Sequence, residues 1–405
     1  MMSRIADNPT VCRVFQACMR IGTAVIPWDF PKIVSGAGSV AKLPGIVKKD
    51  GMDKVLVVTD KGLLNLHLLD SLFDGLDAAG VRYALYDGVQ PNPTIPNIEE
   101  ALALYKSAGC RGIIAFGGGS PMDCAKAVAA RLARPGKSIR QMRGTLKVTK
   151  KIVPLYAVPT TAGTGSETTV AAVVSDPETH EKYAINDPCL LPRYAILDPE
   201  LTVGLPKKIT STTGIDALTH AVEAYIGRSN TPDTEQKAKT AVKLIFRYLK
   251  RAYDNGADIQ AREKMLLASH YAGIAFTRAY VGYVHAIAHN LGGLYGTPHG
   301  FANAVILPHV LDFYAETAWA RLADLADCAG IETEDKSDEA KAKAFIAAIR
   351  ELNASMDIPT GFDFIREEDI PILVERALRE ANPLYPVPRI MDPDDCAAVI
   401  RTLML

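Results

Sequence analysis

Three histidines crowd one short stretch of the chain, Gly282 to Gly300, which reads GYVHAIAHNLGGLYGTPHG: His285, His289 and His299. Upstream, Asp216 and His220 stand four apart in TGIDALTHAVEAY. On a helix, residues four apart share a face, so Asp216 with His220, and His285 with His289, would each present two polar groups in one direction. Imidazole nitrogens joined by a carboxylate suit a divalent transition metal. Six of the eight histidines, at 220, 270, 285, 289, 299 and 309, fall in this one region, a concentration that favours a site over scattered surface positions. An i, i+4 histidine pair alone is more often a satisfied core or surface pair. The metal reading rests on Asp216 and His220 taken together with the G-x-x-H-x-x-x-H-x(9)-H-G spacing.

Two glycine-rich loops offer a second kind of chemistry. Phe116-Gly117-Gly118-Gly119-Ser120-Pro121-Met122-Asp123 follows a predicted strand and opens a predicted helix. Glycines let a backbone approach a ligand, and the free N–H groups and dipole at a helix N-terminus favour an anion such as a pyrophosphate. Pro121 suits the first helical turn. The pattern is not the G-x-G-x-x-G fingerprint, and a tight turn with no ligand is the alternative. Pro159-Thr160-Thr161-Ala162-Gly163-Thr164-Gly165-Ser166-Glu167 again follows an apolar strand and supplies hydroxyls and exposed amides.

These residues need a scaffold, and the chain supplies two patterns. From Pro31 it reads strand then helix repeatedly: a short strand at Ile33–Val34, then apolar runs at Val55–Thr59, Tyr83–Tyr86, Gly112–Phe116 and Val153–Val158, with helical windows at 62–79, 96–108 and 121–133. Apolar strands alternating with helices imply a parallel sheet covered on both faces. After about residue 205 the strand signal stops. Windows near 208–227, 233–253, 258–277, 282–294, 301–329, 335–355, 367–379 and 393–404 read as helix between Pro, Gly and Asn/Asp punctuation. The expected organisation is an N-terminal extension (1–27), an α/β dinucleotide-binding domain (28–205) and an all-helical metal-binding domain (206–405). Val11, Val14, Phe15 and Cys18 recur at helical spacing in the extension. They predict a short helix packed on the domain or on a partner subunit, with a docking peptide as the sharper alternative.

Composition narrows the classes. At 405 residues the chain exceeds one hydrophobic core, and a cleft between two domains is the expected site. Hydrophobic content of 48%, charged content of 22% and a net charge of −1 describe an ordinary globular protein, with no bilayer-spanning apolar run and no basic stripe for nucleic acid. The first ~25 residues lack the apolar core and cleavage site of a secretory signal. Seven cysteines, odd in number and without a C-x-x-C pair, favour reduced thiols and a cytoplasmic protein.

GGGSPMDCAK, PTTAGTGSE, TGIDALTHAVEAY and GYVHAIAHNLGGLYGTPHG, in this order, resemble the iron-containing (group III) alcohol dehydrogenase family, within the wider group that includes glycerol dehydrogenase and dehydroquinate synthase. The resemblance covers about residues 28–400. It implies an N-terminal α/β domain with a parallel sheet and an all-helical C-terminal domain (dehydroquinate synthase-like), with the active site between. Carried over residue by residue, it implies metal ligands at Asp216, His220, His285 and His299, and an unligated histidine suited to proton relay at His289. It implies dinucleotide contacts at Asp60, Asn92, Gly118, Gly119, Ser120, Thr160, Thr161 and Lys182, with Leu201 beside them. Two departures stand out: Arg278 and Tyr280 occupy places where relatives carry small or amide residues, and the N-terminal extension is longer than usual.

The implied reaction is reversible hydride transfer between a small primary alcohol or diol and the nicotinamide, with a metal on the alcohol oxygen. Asp60 ends the second strand, where a carboxylate accepts from a ribose 2′-OH and repels a 2′-phosphate, so NAD is expected over NADP; a helix cap is the alternative role. Four protein ligands would fill a tetrahedral zinc site, whereas a six-coordinate ion keeps positions open, so Fe(II) is expected, with zinc as the alternative. The rival activities are a zinc-dependent glycerol-type polyol dehydrogenase, a lyase of the dehydroquinate synthase type, and a catalytically idle binding subunit. The expected partners are a small alcohol or aldehyde and further copies of the chain, a dimer by default, with neither nucleic acid nor membrane.

Overall fold

The computed structural model describes residues 8–24, 26, 28–179 and 181–405. The chain divides into two compact units, one running from Trp28 to Gly204, the other joining the N-terminal helix to everything from Leu205 to Leu405.

In the first unit the strands are β1 (Lys32–Ser35), β2 (Lys54–Val58), β3 (Arg82–Tyr86), β4 (Gly112–Gly117), β5 (Gly144–Thr145), β6 (Leu155–Pro159), β7 (Ala171–Asp176), β8 (Glu181–Asn186) and β9 (Tyr194–Leu197). Six of them form one parallel sheet in the order β1-β9-β6-β4-β2-β3. Along β2, Leu56 and Val58 enter one core cluster while Val55 and Val57 enter the other. Burial on both faces is why these strands read as unbroken apolar runs. The unit's helices are α2 (Leu43–Lys49), α3 (Lys61–Asn65), α4 (Asp70–Ala78), α5 (Ile95–Ala108) and α6 (Gly119–Ala133). The single helix expected over 62–79 is two, α3 and α4, broken where His67 takes a φ of 57°. The remaining strands form a small sheet, β5-β8-β7. An apolar-run pattern misses it because β7 alternates between buried and half-buried residues instead of being buried throughout.

The second unit contains α1 (Pro9–Ala24), α7 (Lys207–Ile226), α8 (Pro232–Asp254), α9 (Ile259–Ala279), α10 (Tyr283–Tyr295), α11 (His299–Tyr314), α12 (Trp319–Ala329), α13 (Asp338–Ala354), α14 (Ile370–Ala381) and α15 (Pro393–Thr402). The side chains that punctuate the sequence cap these helices: Thr231 starts α8, Asp258 α9, Ser337 α13 and Asp392 α15. The window 301–329 is again two helices, separated where Ala315 has a φ of 42°. α7 packs against α8, α9 and α11, and every residue from Gly214 to Ile226 is buried. Within the single chain the residues that predicted α1 do not make its packing face: Val14 is 61% exposed and Val11, Phe15 and Cys18 are exposed too, while Cys12 and Gln16 are buried. Among the described residues, no helix is long and apolar enough to cross a membrane.

Candidate metal centre and nucleotide loops

α7 carries Asp216, His220 and Glu223 at i, i+4 and i+7, all three buried. Ionisable groups buried on one face of a core helix are costly unless partnered. Their surroundings come from α10, which brings His285, and from the start of α11, which brings His299. One ligand atom from each of Asp216, His220, His285 and His299 lies within 4.8 Å of all the others, within reach of a single ion. Two glycines permit this approach. A Cβ on Gly300 would sit 2.7 Å from the carbonyl oxygen of Thr212 in α7, and one on Gly282 would sit 2.7 Å from Glu223 Oε1. Gly300→Ala therefore has to push α11 off α7. It is expected to lower metal affinity at least about 10-fold and stability by roughly 1–3 kcal/mol, read from metal content and thermal melting.

Glu223 is a site residue that motif reading did not assign. Its Oε1 accepts from the backbone N–H of Val284 at 2.8 Å, and its Oε2 lies 2.6 Å from His285 Nδ1. Burial pushes the Glu223 carboxyl up to about 8, while the N–H groups of Gly282, Val284 and His285 pull it down. Burial, reinforced by His220, His299 and His289, holds the His285 imidazole well below its usual range and hence neutral. With its Nδ1 proton directed at Glu223, His285 keeps a lone pair on Nε2, the arrangement by which a carboxylate orients a metal-binding histidine.

Asn303, one turn after His299, shows where the lone pairs point. Its Nδ2 lies 2.6 Å from Asp216 Oδ1, 3.2 Å from His285 Nε2 and 3.2 Å from His299 Nε2. One NH2 has two protons for three converging acceptors, and Asn303 Oδ1 is buried without a hydrogen-bond partner. Hard and borderline donors converging on too little positive charge fit a divalent cation. Phe276 stacks on the His220 ring at 4.1 Å and walls this side of the cluster with apolar surface.

His289 stands beside the four without joining them. Its ring stacks on His299 at 5.0 Å, and its Nδ1 lies 2.6 Å from Glu380 Oε1 in α14. Of the six clustered histidines, the structure gathers His220, His285, His289 and His299; His309 instead bonds Thr402 Oγ1 and the Thr360 carbonyl. Arg278 pairs with Asp233 at 3.1 Å.

In the α/β unit, α6 opens at Gly118 with no side-chain cap, so its first amides are available to an anion. The Thr160 N–H donates to the Gly117 carbonyl at 3.1 Å, which sets the loop carrying Thr160 and Thr161 beside the Gly118–Gly119 turn. Asn92 donates its backbone N–H to Ser120 Oγ at 3.1 Å, and Lys182 Nζ donates to Asn92 Oδ1 at 2.7 Å, so these three residues meet. Asp60 Oδ1 accepts from the Leu63 N–H at 3.0 Å, so this carboxylate does cap α3. Its second oxygen is not used by that cap. Leu201 is 7% exposed and packs in the core cluster that holds Val57, Phe116 and Val158. Lys126, buried in α6, was not assigned by the motif; its ammonium donates to the carbonyls of Ser166, Thr169 and Ala171 and so anchors the end of the second loop.

An uncapped glycine-rich turn on a parallel sheet and an Asp-His-His-His cluster among helices are the parts a metal-dependent dehydrogenase needs, and comparison with known proteins gives the family. The chain belongs to the iron-containing alcohol dehydrogenases: the model of that family matches residues 31–199, and the model of its C-terminal part matches residues 210–404. It is 40% identical over 377 residues to alcohol dehydrogenase 4 of Schizosaccharomyces pombe, covering 91% of this chain and 86% of that one. It is 37% identical over 376 residues to the NAD-dependent methanol dehydrogenase of Bacillus methanolicus, covering 92% and 98%. A solved 1,3-propanediol oxidoreductase superimposes with a TM-score of 0.90 at 38% identity, covering 94% of this chain and all of that one. The protein is a metal-dependent alcohol dehydrogenase, with an α/β part built on a parallel sheet and a helical part.

Proposed function

We propose that this enzyme interconverts small primary alcohols or diols and their aldehydes with NAD, using Fe(II) held by Asp216, His220, His285 and His299. The observation that carries this reading is the convergence of those four donors within 4.8 Å, in a pocket short of positive charge. When bound, the ion polarises the alcohol or carbonyl oxygen and lowers the hydroxyl pKa, and the nicotinamide accepts or returns the hydride. Glu223 keeps the His285 Nε2 lone pair facing the centre. His289, its Nδ1 turned to Glu380, presents Nε2 to take up the hydroxyl proton; with 36% of its side chain exposed it passes that proton to water. Gly118, Gly119, Ser120, Thr160 and Thr161 would line the pyrophosphate, Asn92 and Lys182 would border it, and Asp60 would meet the adenosine ribose.

The proposed location is the cytoplasm, where thiols stay reduced; none of the described cysteines forms a disulfide. A homo-oligomer, by default a dimer, is proposed with it, and light scattering of the eluting protein reads it directly.

Cofactor choice is the first test. A 2′-phosphate placed ~4 Å from the Asp60 carboxylate is repelled by roughly 4 kcal/mol at an effective dielectric near 20, about half of which survives solvent screening. NAD is therefore expected to exceed NADP in kcat/KM on the order of 10- to 30-fold. Asp60→Ser should narrow that ratio; equal kcat/KM for the two cofactors in the unaltered enzyme would contradict the assignment.

A further inference from the structure

The N-terminal helix is fastened to the rest of its own unit by two polar side chains, and both grip one short loop. Arg13 donates through Nη1 to the Val387 carbonyl at 2.7 Å and through Nη2 to the Pro388 carbonyl at 2.8 Å. Gln16, 5% exposed, donates through Nε2 to the carbonyls of Tyr385 at 2.7 Å and Pro383 at 3.2 Å, and accepts from Arg13 through Oε1. Backbone carbonyls of an irregular loop need such donors, and here α1 supplies them.

The same loop holds the helix that carries two of the site histidines. The Tyr385 hydroxyl donates to Glu380 Oε1 at 2.9 Å, the oxygen that also lies 2.6 Å from His289 Nδ1. Asn382 Oδ1 accepts from the Tyr283 hydroxyl at 2.9 Å, at the first residue of α10. Val387 reaches the other end of the arrangement: a Cβ on Gly282 would lie 3.4 Å from its Cγ1, beside Glu223. One face of the loop is thus held by α1, and its side chains hold α10.

From this geometry we infer that α1 is a clasp that positions His289: Arg13 and Gln16 fix the loop 382–388, Tyr385 fixes Glu380, and Glu380 orients the His289 ring. Arg13, Gln16, Tyr385 and Glu380 are positioning residues, acting through His289. The inference rests on the proposed role of His289 in turnover, so the experiment tests both separately.

The decisive variants are Gln16→Glu, which keeps the size of the side chain but sets a carboxylate oxygen against two carbonyls, and Tyr385→Phe, which removes one hydroxyl. Each is measured in the full-length metal-loaded enzyme, alone and together with His289→Ala, for metal content, thermal midpoint, alcohol KM and kcat. The expected result is a kcat roughly 10-fold lower for each variant in the unaltered background, with metal content and KM little changed. In the His289→Ala background neither should lower kcat further. Arg13→Lys, which keeps the charge but cannot fork to two carbonyls, should fall between the unaltered enzyme and Gln16→Glu. A helix that only adds stability would shift the thermal midpoint equally in both backgrounds and leave kcat alone, which would overturn the clasp; so would equal kcat losses in both. An unchanged kcat in His289→Ala itself would overturn the reading of His289 and the clasp with it.

Discussion

His285→Ala is expected to leave the protein without bound metal and without measurable alcohol oxidation. Losing an outer partner of a metal-binding histidine lowers affinity about 10–100-fold, and removing the histidine itself should lower it by roughly 10³-fold or more. The substitution has a second consequence. Glu223 Oε2 loses its partner in a buried pocket, and an unsatisfied buried group costs about 1–3 kcal/mol. The variant should therefore melt at a lower temperature than the unaltered protein even when both are stripped of metal. Elemental analysis after desalting and melting curves of the two metal-free proteins check the prediction. Full metal content would remove His285 from the ligand set.

His289→Ala should behave differently although it lies one turn along the same helix. Metal content is expected to stay at the unaltered level, because the four donors that converge do not include it. Turnover is expected to fall by roughly 10²–10⁴-fold, the usual contribution of a positioned acid or base. Metal content and kcat measured on the same preparation separate the possibilities: loss of metal makes His289 a ligand, and an unchanged kcat gives it a packing role only.

The parts of the site that could be read from the sequence are those whose geometry is local. A spacing of four on a helix places Asp216 with His220 and His285 with His289, and the apolar strands announce a covered parallel sheet. Glu223 was within reach of the same rule, since it lies three residues after His220 on α7 and its burial follows from that face being internal. Asn303 was likewise one turn from His299. Glu380 was not readable: it is 91 residues from His289, on a helix whose packing partner no local pattern specifies. The N-terminal helix forms as its spacing predicts. Within the single chain its apolar stripe faces outward, the face that packing on a partner subunit would use, and Arg13 and Gln16, polar residues with no apolar signal, fasten it. Asp60 lies two residues past the end of β2 at Val58, and its carboxylate serves a helix cap through one oxygen, which spacing alone cannot distinguish from a ribose contact.

In the proposed function, Asp216, His220, His285 and His299 hold a divalent iron on which alcohol oxidation depends. Metal-free enzyme titrated anaerobically with Fe(II), with NADH formation from 1,3-propanediol and NAD followed at each addition, tests it most directly. Most of the activity is expected to return, with a break in the titration at one iron per chain. Recovery with Zn(II) alone and none with Fe(II) would contradict it.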